Sequence, residues 1–162
     1  MEKVEMNKDM KLSEHFSLGE LTKTNYVTKD GNFPSRVAIE NLTNICENWL
    51  EDLRYSYNTL YSRDRPQDEI PLVINSGYRS PEVNKLAGGA PTSNHLTGCA
   101  VDIHVSGFEQ AIRYASILLD ISEGTQRDYD ELFIEKNKTG SHWIHFAVRP
   151  KDNRRKSGFI KV

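Results

Sequence analysis

A chain of 162 residues, 37% of them hydrophobic, is long enough for one domain with a substantial core and too short for two ordinary ones. Its formal net charge of -2, with acids and bases interleaved, excludes the electrostatic footprint of a nucleic-acid binder; the one basic cluster, Arg149 to Lys156, reads as a solvated loop. No run of about 18 apolar residues occurs, which excludes membrane insertion by a helix, and Cys46 and Cys99 read as buried free thiols rather than a disulfide framework.

In chain order, residues 1–12 are charged and unpatterned, so a frayed leader is expected there, ahead of a single domain over 13–162. The leader has no apolar signal core. Synthesis in the cytoplasm is expected, with any cell-wall role depending on lysis or a dedicated route. Ser17 and Glu20 have capping-box spacing, and Phe16 and Leu21 can staple the turn, which predicts a short helix from Leu18 to about Thr24. Asp30, Gly31 and Pro34 mark an ordered loop. From Ser35, apolar residues including Leu42, Ile45, Trp49, Leu53 and Tyr57 recur three or four apart, predicting a long core helix to about Tyr61. A charged loop follows, and Ile70 to Asn75 reads as a buried strand ending at Ser76 and Gly77.

Arg79 lies just past that strand, where a rigid element can hold a side chain over a cleft. Ser80 and Pro81 cap and open a short helix to Leu86, ended by Gly88 and Gly89. The segment from Ala90 to Leu96 is then irregular, so His95 comes from a loop. Gly98 to Val105 reads as a strand with Cys99, Val101, Ile103 and Val105 on one face and Ala100, Asp102 and His104 on the other. An aspartate in mid-strand is costly to desolvate and needs a cation or several donors. Phe108 to Ile121 is a second core helix, ended by Gly124. Asp130 to Glu135 and His142 to Val148 form an antiparallel hairpin, with Trp143, His145 and Ala147 on one face of its second strand and His142, Ile144 and Phe146 on the other. Residues 158–162 add an edge strand. The fold class expected is α+β, with a small, mainly antiparallel sheet and helices packed on one face.

Catalytic zinc sites take three protein ligands from histidine and carboxylate side chains and leave one position for water. His95, Asp102 and one later histidine would make such a set, with His145 in mid-strand the best third member. On spacing alone this reading stands level with two satisfied core histidines and a capping aspartate.

Three motifs alter that balance: S-G-Y-R-S-P at 76–81, S-N-H-L-T-G-C-A-V-D-I at 93–103 and H-W-I-H-F at 142–146. Together they resemble the zinc D-alanyl-D-alanine carboxypeptidase family of peptidoglycan peptidases, which includes D-Ala-D-Ala dipeptidases and phage endolysins cutting L-alanyl-D-glutamate bonds. That family shares its fold with the hedgehog signalling domain. The resemblance implies His95, Asp102 and His145 as Zn2+ ligands, and Arg79 as the group that binds a substrate oxygen and steadies the oxyanion. It also implies Ser93 as a serine that supports the site or binds substrate; His104 takes no role. Many relatives have an acid three positions before the last zinc histidine, acting as general base. Here that position is His142, which ideal alternation puts on the opposite face from His145. Glu135, across the hairpin, is a second candidate, and Asp130 or Glu131 a third.

The function expected is zinc-dependent hydrolysis of a peptide bond in peptidoglycan, by a monomer whose partner is the stem peptide or another D-Ala-D-Ala-containing peptide. Two alternatives stand beside it: a catalytically silent, zinc-stabilised peptidoglycan-binding module, and an α+β protein without metal.

Overall fold

The computed structural model describes residues 6–63, 65 and 67–162. Residues 1–5 of the expected leader lie outside the described residues, but residues 6–12 do not fray. Strand β1 (Lys11–Ser13) pairs antiparallel with β2 (Phe16–Ser17), burying Leu12, and the Leu18 N–H donates to Met10 O at 2.8 Å. This hairpin delivers the chain to α1 (Leu18–Leu21), where the Ser17 hydroxyl accepts from the Glu20 N–H and the Glu20 carboxylate accepts from the Ser17 N–H. The helix stops earlier than Thr24, because Thr22 leaves helical geometry and turns its hydroxyl back onto Leu18 O.

The long apolar period becomes one continuous helical rod. Ser35 caps α2 (Arg36–Ile45), a π-helical stretch follows over Cys46–Leu50, and α3 (Glu51–Leu60) completes it. Its stripe buries Leu42, Ile45, Trp49 and Leu53, and the Trp49 ring meets Phe146 at 5.1 Å between centroids. Ser80 caps the short helix α4 (Pro81–Leu86), and Tyr57 sits edge-on against Tyr114 of α5 (Phe108–Thr125) at 4.8 Å. Helix α5 runs past Gly124 and ends where Gln126 turns left-handed at φ 55°, so the local glycine signal is overridden by helix continuity.

The main sheet has the order β3 (Ile74–Ser76), β4 (Ala100–His104), β6 (His142–Ala147), β5 (Glu131–Lys136), β7 (Lys156–Lys161). All neighbours are antiparallel except β5 and β7, which are parallel. Strand β3 is shorter than the expected run from Ile70, since Pro71 has no N–H for a ladder and pairing begins only at Ile74. The fold is a single α+β domain. Val101, Ile103, Leu132, Ile134, Ile144 and Phe146 form the buried face against α2, α3 and α5, and alternation sends Asp102, Glu131, Phe133, Glu135 and His145 to the other.

Two further features differ from a bland surface and core. The Arg149 to Lys156 segment is a largely exposed loop, as expected, but an anchored one: Arg154 binds Asp130, a carboxylate at 0% exposure, through its backbone N–H and its guanidinium. Cys46 and Cys99 are buried and unbridged, and burial pushes both thiols up from their ordinary pKa. Among the described residues, no helix is long and apolar enough to cross a membrane.

Candidate metal centre

His95 belongs to a 3-10 helix (Asn94–Thr97) that its own flanks hold in place. The Ser93 hydroxyl accepts from the His95 N–H at 3.2 Å, and Gly98 closes the turn at φ 72°, where an added Cβ would lie 2.4 Å from Ala38 O. Ser93 therefore supports the turn that carries the histidine. The His95 Nδ1 lies 2.7 Å from Gly77 O. A carbonyl only accepts, so Nδ1 donates to it and Nε2 is the nitrogen left to face Asp102, 3.4 Å from its Oδ2. Gly77 can present that carbonyl because it has no side chain: a Cβ would meet Leu21 O of α1 at 2.2 Å.

Asp102, 8% exposed, stands in the centre of β4 directly opposite His145 of β6. Its Oδ1 is 3.1 Å from His145 Nδ1. Burial works against its charge, yet the imidazoles of His95 and His145 hold the carboxyl well below the usual range. His145 in turn lies between two carboxylates, with Nε2 3.1 Å from Glu131 Oε1 and Phe133 stacked against its ring at 5.9 Å. Burial alone would lower its pKa, but Asp102 and Glu131 outweigh that and push it up to about 10. Positive charge is wanted between Asp102 and the two rings.

The donor atoms of His95, Asp102 and His145 all lie within 4.8 Å of one another. Tetrahedral zinc, with ligands at about 2.0–2.2 Å, holds its donors about 3.4 Å apart. The separations of 3.4 Å from His95 Nε2 to Asp102 Oδ2 and 3.1 Å from His145 Nδ1 to Asp102 Oδ1 are of that order, each histidine facing its own carboxylate oxygen. The residues present therefore fit a zinc-sized cation with two nitrogen donors and one carboxylate. A second grouping, Glu14, His15 and Glu51, is more open, and both the His15 N–H and Nδ1 bind the Glu51 carboxylate. It ties the β1–β2 hairpin to α3.

Arg79 reaches the same place from the end of β3. Its Nε donates to Ser76 Oγ and its Nη2 to Asp102 Oδ2, each at 3.1 Å, while its backbone N–H donates to His95 O at 3.0 Å. The loop holding it is pinned on both sides by Asn32, which accepts from the Ser80 N–H and donates to Tyr78 O.

Residues 14–131, more than half of the chain, match the family model described as Peptidase M15. The chain belongs to the Peptidase M15 family. No curated protein matches it. Within the matched stretch of this M15 peptidase lie Arg79, Ser93, His95 and Asp102; Glu135 and His145 lie beyond it, and it is the β4–β6 pairing that brings His145 to Asp102.

Two of the acid–base candidates separate cleanly in the M15 chain. His142 projects to the helix side, with its ring 5.4 Å from that of Phe108, so it cannot reach the metal set. The sequence left the base open, with His142 one candidate; strand alternation puts its side chain on the face away from His145. Glu135 shares the face of His145 and is half-buried; burial raises its carboxyl pKa, with Asp102 adding to the rise and His145 opposing it. Asp130 and Glu131 are engaged elsewhere, the first by Arg154 and the second by His145. His104 is exposed beside Trp143 in the ladder. Asn94 and Asn32 were not read as site builders, and Glu131 only as a third candidate base; the period of two linking Glu131, Phe133 and Glu135 was the signal that placed it on the site's face.

Proposed function

We propose that this M15 peptidase is a zinc enzyme hydrolysing peptide bonds of bacterial peptidoglycan, with His95 Nε2, the Asp102 carboxylate and His145 Nδ1 as the metal's ligands. The observation that carries the reading is that each imidazole has its other nitrogen tied, to Gly77 O and to Glu131, so that two lone pairs and a buried carboxylate converge. Bound zinc supplies Lewis acidity there, polarising a carbonyl and acidifying water.

The chain's own residues do the rest. Glu135, raised toward the pH at which it works, takes the proton of the attacking water and returns it to the leaving amine. Arg79 is fixed by Ser76 and Asp102 and directs its remaining N–H groups at the substrate oxygen where negative charge develops. A guanidinium at that point also suits the carboxylates of a stem peptide. The silent-module alternative drew on the lack of an acid at position 142; an acid at 135 on the same face as His145 supports hydrolysis instead.

His95→Ala and Asp102→Ala should each abolish zinc uptake and the release of amino groups from purified cell wall. Release at the wild-type rate would overturn the proposal. Mass spectrometry of the wild-type digest then identifies the bond.

A further inference from the structure

We propose that Glu131, held by Asn94, is the positioning residue that sets which nitrogen of His145 faces the metal; the inference rests on the zinc reading above. An imidazole can coordinate through either nitrogen, and the choice follows from what the other one bonds. Glu131 Oε1 lies 3.1 Å from His145 Nε2, on the edge of the ring away from Asp102, so the carboxylate accepts from the Nε2–H and leaves Nδ1 toward the set. The stacked Phe133 ring limits rotation about that bond.

Glu131 is neither a fourth ligand nor a free base. Its Oε1 already accepts from His145 and from Asn94 Nδ2 at 2.8 Å, and its Oε2 lies 3.8 Å from the Arg154 guanidinium. Asn94 is the joint of the arrangement. The same Nδ2 group donates to Asp130 Oδ2 at 2.8 Å, and Asp130 is fixed by Arg154. Asn94 is also the residue next to His95, so one amide couples the turn bearing the first histidine to the acid that orients the last. The two halves of the site, separated by 50 positions in the chain (95 and 145), share this support.

The test uses the full-length protein with Glu131→Ala and Glu131→Gln, measuring zinc affinity by competition with a chromophoric chelator, the absorption spectrum of the cobalt-substituted protein, and melting of the metal-free form. Glu131→Ala should weaken zinc binding about 10- to 100-fold and change the cobalt spectrum, a loss larger than the fall in metal-free stability from the missing Glu131–His145 pair. Glu131→Gln keeps an acceptor oxygen and should recover most of the affinity. Wild-type affinity in Glu131→Ala overturns the inference, as does a matching fall in its metal-free melting, which would make the role structural. Equal weakness in the glutamine variant overturns it too. A wild-type chain that takes up no zinc overturns the zinc reading itself, a result distinct from all of these.

Discussion

Two acidic side chains on one strand, Glu131 and Glu135, four residues apart and on the same face, show how a carboxylate's surroundings assign its work. Glu131 has a lowered pKa because His145 donates to it, and it is committed to that ring. Glu135 has a raised pKa because burial is the larger influence, and its proton is therefore exchangeable nearer neutrality. Glu135→Gln should reduce peptidase turnover about 100-fold or more while zinc content stays at the wild-type level. His142→Gln should leave turnover within a few fold, roughly as expected for a side chain on the far face. Equal losses in the two variants, measured on the same cell-wall substrate, would contradict the assignment of Glu135.

The joint between α1 and β3 shows the same logic for whole elements. Gly77 lets the two backbones touch, with the Tyr78 N–H donating to Leu21 O at 2.8 Å, and its carbonyl holds His95. Gly77→Ala should destabilise the protein by about 1–3 kcal/mol in urea unfolding and weaken zinc binding as well, because the backbone that must move also orients a ligand. Much of the element layout was legible in the sequence, since burial imposes periods: the long rod, the alternation of β4 and the two faces of β6 all follow from it. What was not legible was decided between elements or by short-range rivals. Charged residues concealed the β1–β2 hairpin, Pro71 cut β3 short, and α5 ran through Gly124. The three candidate metal-site residues could be proposed from motifs, whereas Asn94 reaches Asp130 and Glu131 across 36 and 37 positions, contacts that no local pattern encodes.

At the scale of the whole molecule, Asp130 ties the sheet, the His95 turn and the segment before β7 together. Burial would raise its carboxyl, but the Arg154 and Asn94 hydrogen bonds outweigh that and hold it at about 2. A depressed folded-state pKa stabilises the native protein above the unfolded value of 3.8, and that stability is lost as pH falls from about 4 through about 2. The shift corresponds to on the order of 2 kcal/mol. Wild type should therefore melt well above Asp130→Asn near neutral pH, and the gap should narrow as pH is lowered from 4 to 2. A gap independent of pH over that window would show that the carboxylate's charge carries none of the stability.

The two closed-off cysteines have a consequence for where such a molecule can operate. Thiolate is a softer zinc ligand than imidazole or carboxylate, and it is also the form that oxidants attack. With Cys46 and Cys99 both buried and their ionisation suppressed, neither thiol is presented to compete for a metal or to exchange with disulfides. The chain's imidazole and carboxylate donors are indifferent to redox poise. The two thiols and the candidate ligand set are therefore alike insensitive to whether the surroundings are reducing or oxidising.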